Sequence, residues 1–212
     1  MTKRITSQDS VVHRGLLGER YKSLCAKLVQ YYLDVELSEA RKTILRFVVG
    51  LRFSSLLTYE IRRILCGTGL NANWGTIIDK NHYSPECDIV IHEGDSFLAW
   101  NGDDDFHGRV MDFHFVEKES VRLVVSCKSR IDEISRDIKE DIKRLSQYTP
   151  HVWLVAQCCE VKKLERLRRN ALKAGYEKFV HLFALRPDGV GCDYDENVWF
   201  DFVDSLRSLA SS

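Results

Sequence analysis

The segments SPECDIVI at positions 84–91 and VRLVVSCK at positions 121–128 determine how the rest of this sequence is interpreted. Each is a short and nearly continuous apolar run, as expected for a strand that is buried on both faces of a sheet. A charged residue interrupts the apolar part of each segment, Asp88 in the first and Lys128 at the end of the second. Because buried strands rarely hold such side chains without a purpose, these two positions are the first candidates for a functional site.

Helical and strand patterns alternate around these two segments. Apolar spacing predicts helices over 19–37 and 39–65, the second ending at Cys66-Gly67, and later helices over 131–148, 161–174 and 198–209. Further strands are predicted at 76–78, 152–157 and 179–185, and the stretch 111–116 is either an additional strand or part of the loop before it. The stretch 81–85 has the composition of a turn, and the polar stretch 92–109 that of a long loop.

The order of these elements predicts an α/β fold. Its centre is helix, three strands, helix and strand, an αβββαβ series. A crossover helix returns its strand parallel to the neighbouring strand, so we expect a mixed sheet with helices on both faces. We expect residues 1–55 to form an N-terminal helical extension and residues 56–212 to form the α/β domain.

Composition narrows the class of protein. Lys and Arg together number 31, as do Asp and Glu, so any contact with nucleic acid must come from local basic patches. The seven cysteines include no CxxC pair, which favours free thiols in a reducing cytosol over a zinc site. The N-terminus lacks an apolar signal segment, and no apolar run approaches ~18 residues. We therefore expect a cytoplasmic protein without a membrane segment.

Asp88 and Lys128 together suggest phosphodiester chemistry. A carboxylate at the start of one strand and a lysine at the end of its neighbour can converge at one edge of a sheet. The carboxylate would supply oxygen to a hard cation such as Mg²⁺. The lysine would orient water and offset charge on the phosphate that is attacked.

The same residues resemble the PD-(D/E)XK nuclease superfamily and, more narrowly, the bacterial DUF6602 type of nuclease-like domain. Segments 84–91, 119–121 and 124–129 look like that type's pattern SPQxDIxI … ESV … VIEVKS, within a similarity that covers roughly 58–157. The resemblance implies a restriction-endonuclease-like fold and Mg²⁺- or Mn²⁺-dependent hydrolysis of nucleic acid, with DNA as the first choice. It also implies a role in bacterial defence or restriction. A homodimer is compatible with it, although no interface signal stands out.

Ser126 is a departure from that pattern, which has an acidic residue two positions before the lysine. A neutral hydroxyl is a poor Mg²⁺ ligand. One interpretation is a catalytically inactive relative that binds nucleic acid or a protein partner. The other is a displaced acid, because Ser126-Cys127-Lys128 resembles the SxK arrangement of a subgroup of type II restriction endonucleases. Those enzymes take the second metal-binding acid from the following helix, with the serine lining the site.

Asp141 is the favoured acid in the following helix. On a helical wheel it lies about 20° from Ile134, within the apolar stripe, whereas Asp137 lies at the edge of that stripe. The alternative for Asp141 is an ordinary ion pair with Lys128 or an arginine. The resemblance also implies a further metal-binding acid, Glu60, in the helix before the first strand. An exposed glutamate that pairs with a nearby arginine is the alternative there.

Three other features have both a functional and an ordinary explanation. A basic stripe on the helix over 161–174 could track phosphates, or it could be a solvated helix face. The Cys127 thiol is better explained by core packing than by nucleophilic chemistry. The histidines near the candidate site could include a ligand or a catalytic base. The stripe comprises Lys162, Arg166, Arg169 and Lys173, and the histidines are His82, His92, His107 and His114.

Overall fold

The structure is a computed structural model that describes residues 7–36, 42–100, 112–186 and 192–210. The helices are α1 (Ser7–Glu36), α2 (Lys42–Ile64), α3 (Arg136–Leu145), α4 (Leu164–Ala174) and α5 (Glu196–Leu209). The strands are β1 (Leu70–Asp79), β2 (His82–Tyr83), β3 (Cys87–Glu93), β4 (Phe97–Trp100), β5 (Phe113–Glu117), β6 (Val121–Ile131), β7 (Val152–Glu160), β8 (Lys178–Leu185) and β9 (Cys192–Asp193).

These strands form one mixed sheet in the order β4-β5-β1-β3-β6-β7-β8-β9, with β2 paired to β1. β1, β3 and β6 are antiparallel neighbours, and β6, β7 and β8 run parallel. α3 connects β6 to β7, so the crossover helix does return a parallel strand as the αβββαβ order requires. The predicted α/β class, a mixed sheet flanked by helices, is confirmed.

The two faces of the sheet are covered by different helices. Strand alternation on β6 sends Leu123 and Val125 into the core beneath α1, α2 and α5, and sends Val124 into the core beneath α3 and α4. Both clusters consist of fully or nearly fully buried apolar side chains. By the same alternation Ser126 and Lys128 face the α3 side of the sheet.

α1 packs into the first of these cores. The Tyr21 hydroxyl donates a hydrogen bond to the Leu182 carbonyl of β8, and the Tyr21 ring stacks on Trp199 of α5 with centroids 5.5 Å apart. α2 runs unbroken through Gly50. The division at residue 55 into an extension and a domain stays a prediction, while these contacts join α1 directly to the sheet.

Three sequence-based assignments are corrected. The predicted loop over 92–109 contains strand β4; its residues 101–109 lie outside the described part of the chain. β4 is an edge strand whose Phe97 and Leu98 are 63% and 50% exposed, so no burial pattern marks it. The predicted turn over 81–85 contains β2. Ile131, the first residue of the predicted third helix, is instead the last residue of β6, and α3 begins only at Arg136.

Close backbone approach explains one glycine. β1 has an irregularity between Asn73 and Gly75 where it pairs with β3, and Gly75 also lies opposite His114 of β5. A β-carbon at Gly75 would overlap the carbonyl oxygen of His114. Only glycine therefore fits where β1 is pressed against β5.

No cysteine is in a disulfide, and all seven lie within the described residues. Cys66 is exposed, Cys192 is partly buried, and the other five are buried. Among the described helices, none combines the length and apolar character that a membrane crossing would need.

Candidate functional site

Asp88 is the second residue of β3 and is half-buried on the α3 side of the sheet. Its carboxylate accepts a hydrogen bond of 2.8 Å from the backbone amide of Cys127 in β6. The antiparallel pairing of β3 with β6 thus places the start of β3 beside Val125 and Cys127, and β6 continues past Lys128 to Ile131. Asp88 and Lys128 therefore reach the same part of the sheet.

Burial raises the pKa of the Asp88 carboxyl to about 6. The Cys127 amide and the positive charge of Lys128 act in the opposite direction, while repulsion from the Glu86 and Asp141 carboxylates adds to the rise. A carboxyl with a perturbed pKa that is surrounded by other charged groups is typical of functional sites.

Asp141 is brought to Lys128 by α3. The Lys128 ammonium lies 3.7 Å from the Asp141 carboxylate, with both side chains about a third exposed (31% and 34%). Arg144 holds the other carboxylate oxygen of Asp141 at 2.7 Å. Asp137 is exposed on the same helix, so of the two candidate acids Asp141 is the one that the structure joins to Lys128. The ion pair is also the ordinary alternative that the sequence left open.

α3 is held in place by its first turn and by its apolar face. The Ser135 hydroxyl accepts a hydrogen bond of 3.4 Å from the Ile138 amide and caps the helix N-terminus. Ile138, Ile142 and Leu145 are buried against the sheet. Asp141 precedes Ile142 and therefore leaves the helix at the margin of the buried stripe.

Tyr176 is a residue of the site that sequence analysis missed. Its fully buried hydroxyl donates to the Ile138 carbonyl of α3 at 3.2 Å. Burial raises the pKa of this hydroxyl, the Asp141 and Asp88 charges act in the same direction, and a hydrogen bond with Ser126 opposes them. The Tyr176 hydroxyl thus lies beside Ser126, which stands two residues before Lys128, where the motif described above has an acid.

Glu60 is placed in α2, on the opposite side of the sheet from α3. Its carboxylate lies 4.0 Å from Arg63 in the i,i+3 pair that the ordinary explanation anticipates. Among the described groups that act on the Asp88 carboxyl, Glu86 takes part and Glu60 does not. Glu86 also accepts a hydrogen bond of 2.8 Å from the indole of Trp74.

The histidines do not join Asp88. His92 is buried, bonds Asn73 at 2.8 Å, and has its pKa lowered by burial. Asn73 connects in turn to Ser96, which bonds His114 at 2.8 Å. This network lies beside Arg62 of α2 and explains the two histidines as structural. His82 is exposed, and His107 lies outside the described residues.

The donor chemistry of the site fits a hard cation. Asp88 and Asp141 are two carboxylates close enough to repel each other. Mg²⁺ is held in many proteins by one or two carboxylates and retains several waters. In the described ranges no group of three or more His, Cys, Asp or Glu side chains is arranged to hold a metal ion. Asp88 and Asp141 are the two carboxylates that would be available to such a cation beside Lys128.

Comparison with known proteins identifies the fold. No protein-family model and no curated protein matches the sequence. Two solved structures are similar: NucC of P. aeruginosa ATCC27853 and NucC of E. coli MS115-1, both in cAAA-bound form. Both are 10% identical to this chain and cover 92% of it, with 90% and 89% of their own chains aligned and TM-scores of 0.60 and 0.59. The similarity confirms the restriction-endonuclease-like fold class.

Proposed function

We propose that this chain is a metal-dependent nuclease that hydrolyses phosphodiester bonds in nucleic acid, with DNA as the substrate and bacterial defence as its setting. The observation that carries the proposal is the convergence of Asp88, Lys128 and Asp141 from β3, β6 and α3. Similarity to NucC structures supports the fold on which such a site is built. The resemblance to PD-(D/E)XK nucleases supplies the reaction.

Asp88 and Asp141 would hold Mg²⁺ or Mn²⁺ on the α3 side of the sheet. When bound, the cation would lower the pKa of a water molecule and stabilise charge on the phosphate. The Asp88 carboxyl must lose its proton to serve as a ligand, which its raised pKa allows above about 6. Repulsion between the two carboxylates would be relieved by a divalent charge.

Lys128 would act on the reacting groups through its ammonium. It lies between the sheet and Asp141, and its three N–H donors can orient the attacking water or neutralise a phosphate oxygen. The 3.7 Å distance to Asp141 is longer than a close hydrogen bond, so the ammonium can turn toward substrate. Ser126 and Tyr176 would line the site as neutral hydroxyls.

A cleavage assay with Mg²⁺ or Mn²⁺ on duplex DNA, single-stranded DNA and RNA tests the proposal. We expect Asp88→Ala, Lys128→Ala and Asp141→Ala each to reduce cleavage by about 100-fold or more. Asp137→Ala, on the exposed side of α3, is the matched control and should cut normally. Glu60→Gln tests the metal-binding role that the resemblance implies for Glu60. Retained cleavage in Asp141→Ala would move the second acid elsewhere.

Ser126 favours a second candidate, an inactive relative that binds nucleic acid or a protein partner. This candidate explains the ion pairs of Asp141 with Lys128 and Arg144 as purely structural. Absence of cleavage by the wild type on every substrate, together with no Mg²⁺ or Mn²⁺ binding by calorimetry, would support it over the nuclease.

A further inference from the structure

The exposed side of α4 carries a concentrated positive charge in a protein whose formal net charge is zero. Between residues 161 and 174 there are six basic side chains and a single acidic one, Glu165. Four of the basic residues follow one another at helical spacing and are exposed. We call these four residues the α4 basic face: Lys162, which lies in the 3₁₀ turn before α4, and Arg166, Arg169 and Lys173 of α4 itself.

The α4 basic face has no ion-pair partner within the described part of the chain. The two remaining basic residues of the segment do have partners, since Lys163 lies 3.2 Å from Asp132 and Arg168 lies 3.5 Å from Glu165. Like charges at three- and four-residue spacing repel one another on a helix. A surface that leaves four such charges uncompensated is suited to a polyanion.

The location of α4 connects this surface to the candidate site. Leu167 and Ala171 of α4 are buried in the same core as Ile138 and Ile142 of α3, on the face of the sheet that carries Asp88 and Lys128. α4 packs over β7 and β8. β3, which holds Asp88, is two strands from β7, a separation of about 10 Å.

Both ends of α4 are tied to the surroundings of the site. At its start, the ion pair between Lys163 and Asp132 links it to the residue that follows β6. At its end, Gly175 terminates the helix in a left-handed conformation, and Tyr176 enters the site directly after it. These contacts connect α4 to β6 at one end and to α3 at the other.

We propose that the α4 basic face binds the phosphate backbone of duplex DNA and holds the duplex across the candidate site. The proposal rests on the proposed function for the choice of substrate. The four residues span about 16 Å along α4 and the turn before it, which corresponds to about five phosphates at the rise of one DNA strand. α4 has no aromatic side chain on which unpaired bases could stack, so its chemistry fits a duplex backbone better than a single strand.

Salt-dependent binding in EDTA tests this surface without requiring cleavage. The affinity of the full chain for a duplex of about 20 base pairs is measured over a series of salt concentrations. Arg166→Gln combined with Arg169→Gln is expected to lower the slope of log affinity against log salt by about 1.8, since each phosphate contact contributes about 0.9. The affinity near physiological salt should fall by about tenfold or more.

The matched control removes the same charge from the opposite side of the sheet. Arg20 and Lys27 are exposed residues of α1, and Arg20→Gln with Lys27→Gln should leave slope and affinity within about twofold of the wild type. All variants are compared by thermal unfolding, since surface glutamines should not affect folding. Equal losses in both double variants, or no loss in the α4 variant, would overturn the proposal. Equally tight and equally α4-dependent binding of single-stranded DNA would overturn its choice of a duplex.

The failure of this inference can be told apart from the failure of the proposed function. Binding of duplex DNA that depends on α4, without cleavage in Mg²⁺ or Mn²⁺, would support the inference and reject the nuclease. Cleavage that is unaffected by the α4 substitutions would reject the inference and leave the nuclease in place.

Discussion

At the scale of single residues, the half-buried Asp88 carboxylate should reduce stability at neutral pH. Its pKa rises from 3.8 to about 6, so the folded state keeps a proton that the unfolded chain has lost. Stability linked to this proton is fully present below about pH 4 and is lost as the pH rises through 6. We expect Asp88→Asn to be more stable than the wild type by about 1–2 kcal/mol near pH 8, with little difference near pH 4.

Urea unfolding in EDTA at the two pH values measures this difference. Asp137→Asn, at an exposed position of α3, is the control and should change the free energy of unfolding by less than about 0.5 kcal/mol at both. If Asp88→Asn raises the free energy of unfolding equally at low and high pH, ionisation of the Asp88 carboxyl is not the cause of the difference in stability.

A second prediction at the scale of single residues concerns Tyr176, a positioning residue that joins α3 to β6. Tyr176→Phe removes only the hydroxyl that donates to the Ile138 carbonyl and bonds Ser126. We expect the free energy of unfolding to fall by about 1 kcal/mol. Because α3 carries Asp141, the Mg²⁺ concentration required for half-maximal cleavage should also rise.

Tyr148→Phe is the matched control for this effect. It removes a hydroxyl that donates to the Tyr83 carbonyl of β2 at 2.7 Å and makes no contact with α3 or Ser126 among the described hydrogen bonds. This variant should lose less stability than Tyr176→Phe, because its hydrogen bond is exposed, and should leave the Mg²⁺ requirement unchanged. An equal change in the Mg²⁺ requirement for both variants would show that Tyr176 stabilises the fold in general and does not specifically position α3.

At the scale of secondary-structure elements, β1 depends on glycine at position 75. Gly75→Ala would press its new methyl group against the His114 carbonyl and is expected to cost about 2–3 kcal/mol or more. Gly50→Ala is the control, because nothing lies within 4 Å of its β-carbon in α2 and alanine favours a helix by about 0.5–1 kcal/mol. Thermal unfolding of the two variants should therefore shift in opposite directions.

The elements that the sequence predicts well are those whose burial pattern is complete. β3, β6, β7 and β8 lie at the centre of the sheet with helices on both faces, so continuous apolar runs identify them. β4 lies at the edge with exposed side chains, and β2 and β9 have two residues each, so no periodicity can reveal them. Their existence depends on a neighbouring strand rather than on their own residues.

The residues of the candidate site also differ in how well the sequence predicts them. Asp88 and Lys128 are predictable because a charge within an apolar strand stands out, and Asp141 because helical periodicity gives its direction. Tyr176 follows a helix-terminating glycine and resembles a loop residue in the sequence. Its role depends on the packing of α4 beside α3, a contact between elements that no local pattern encodes.

At the scale of the whole molecule, α1 is expected to unfold together with the sheet. Leu28 is 1% exposed in the core shared with β8 and α5, and Leu28→Ala should lower the free energy of unfolding by about 2–4 kcal/mol. Leu16→Ala, at a site 59% exposed, should cost less than about 0.5 kcal/mol. Urea transitions followed by tryptophan fluorescence and by far-UV circular dichroism should coincide. Two separate transitions would show α1 to be an independent unit.

The cysteines are distributed so that their alkylation can report local unfolding on either side of the sheet. Burial raises the pKa of Cys25, on the α1 side, and of Cys159, on the α3 side, to about 12, so neither would react with an alkylating reagent in the closed protein. Cys66 is exposed and would react at once. A brief alkylation pulse followed by peptide mass spectrometry would therefore measure the rate of local opening on each side of the sheet separately. The alkylation of Cys66 in the same sample would serve as the reference for a fully accessible thiol.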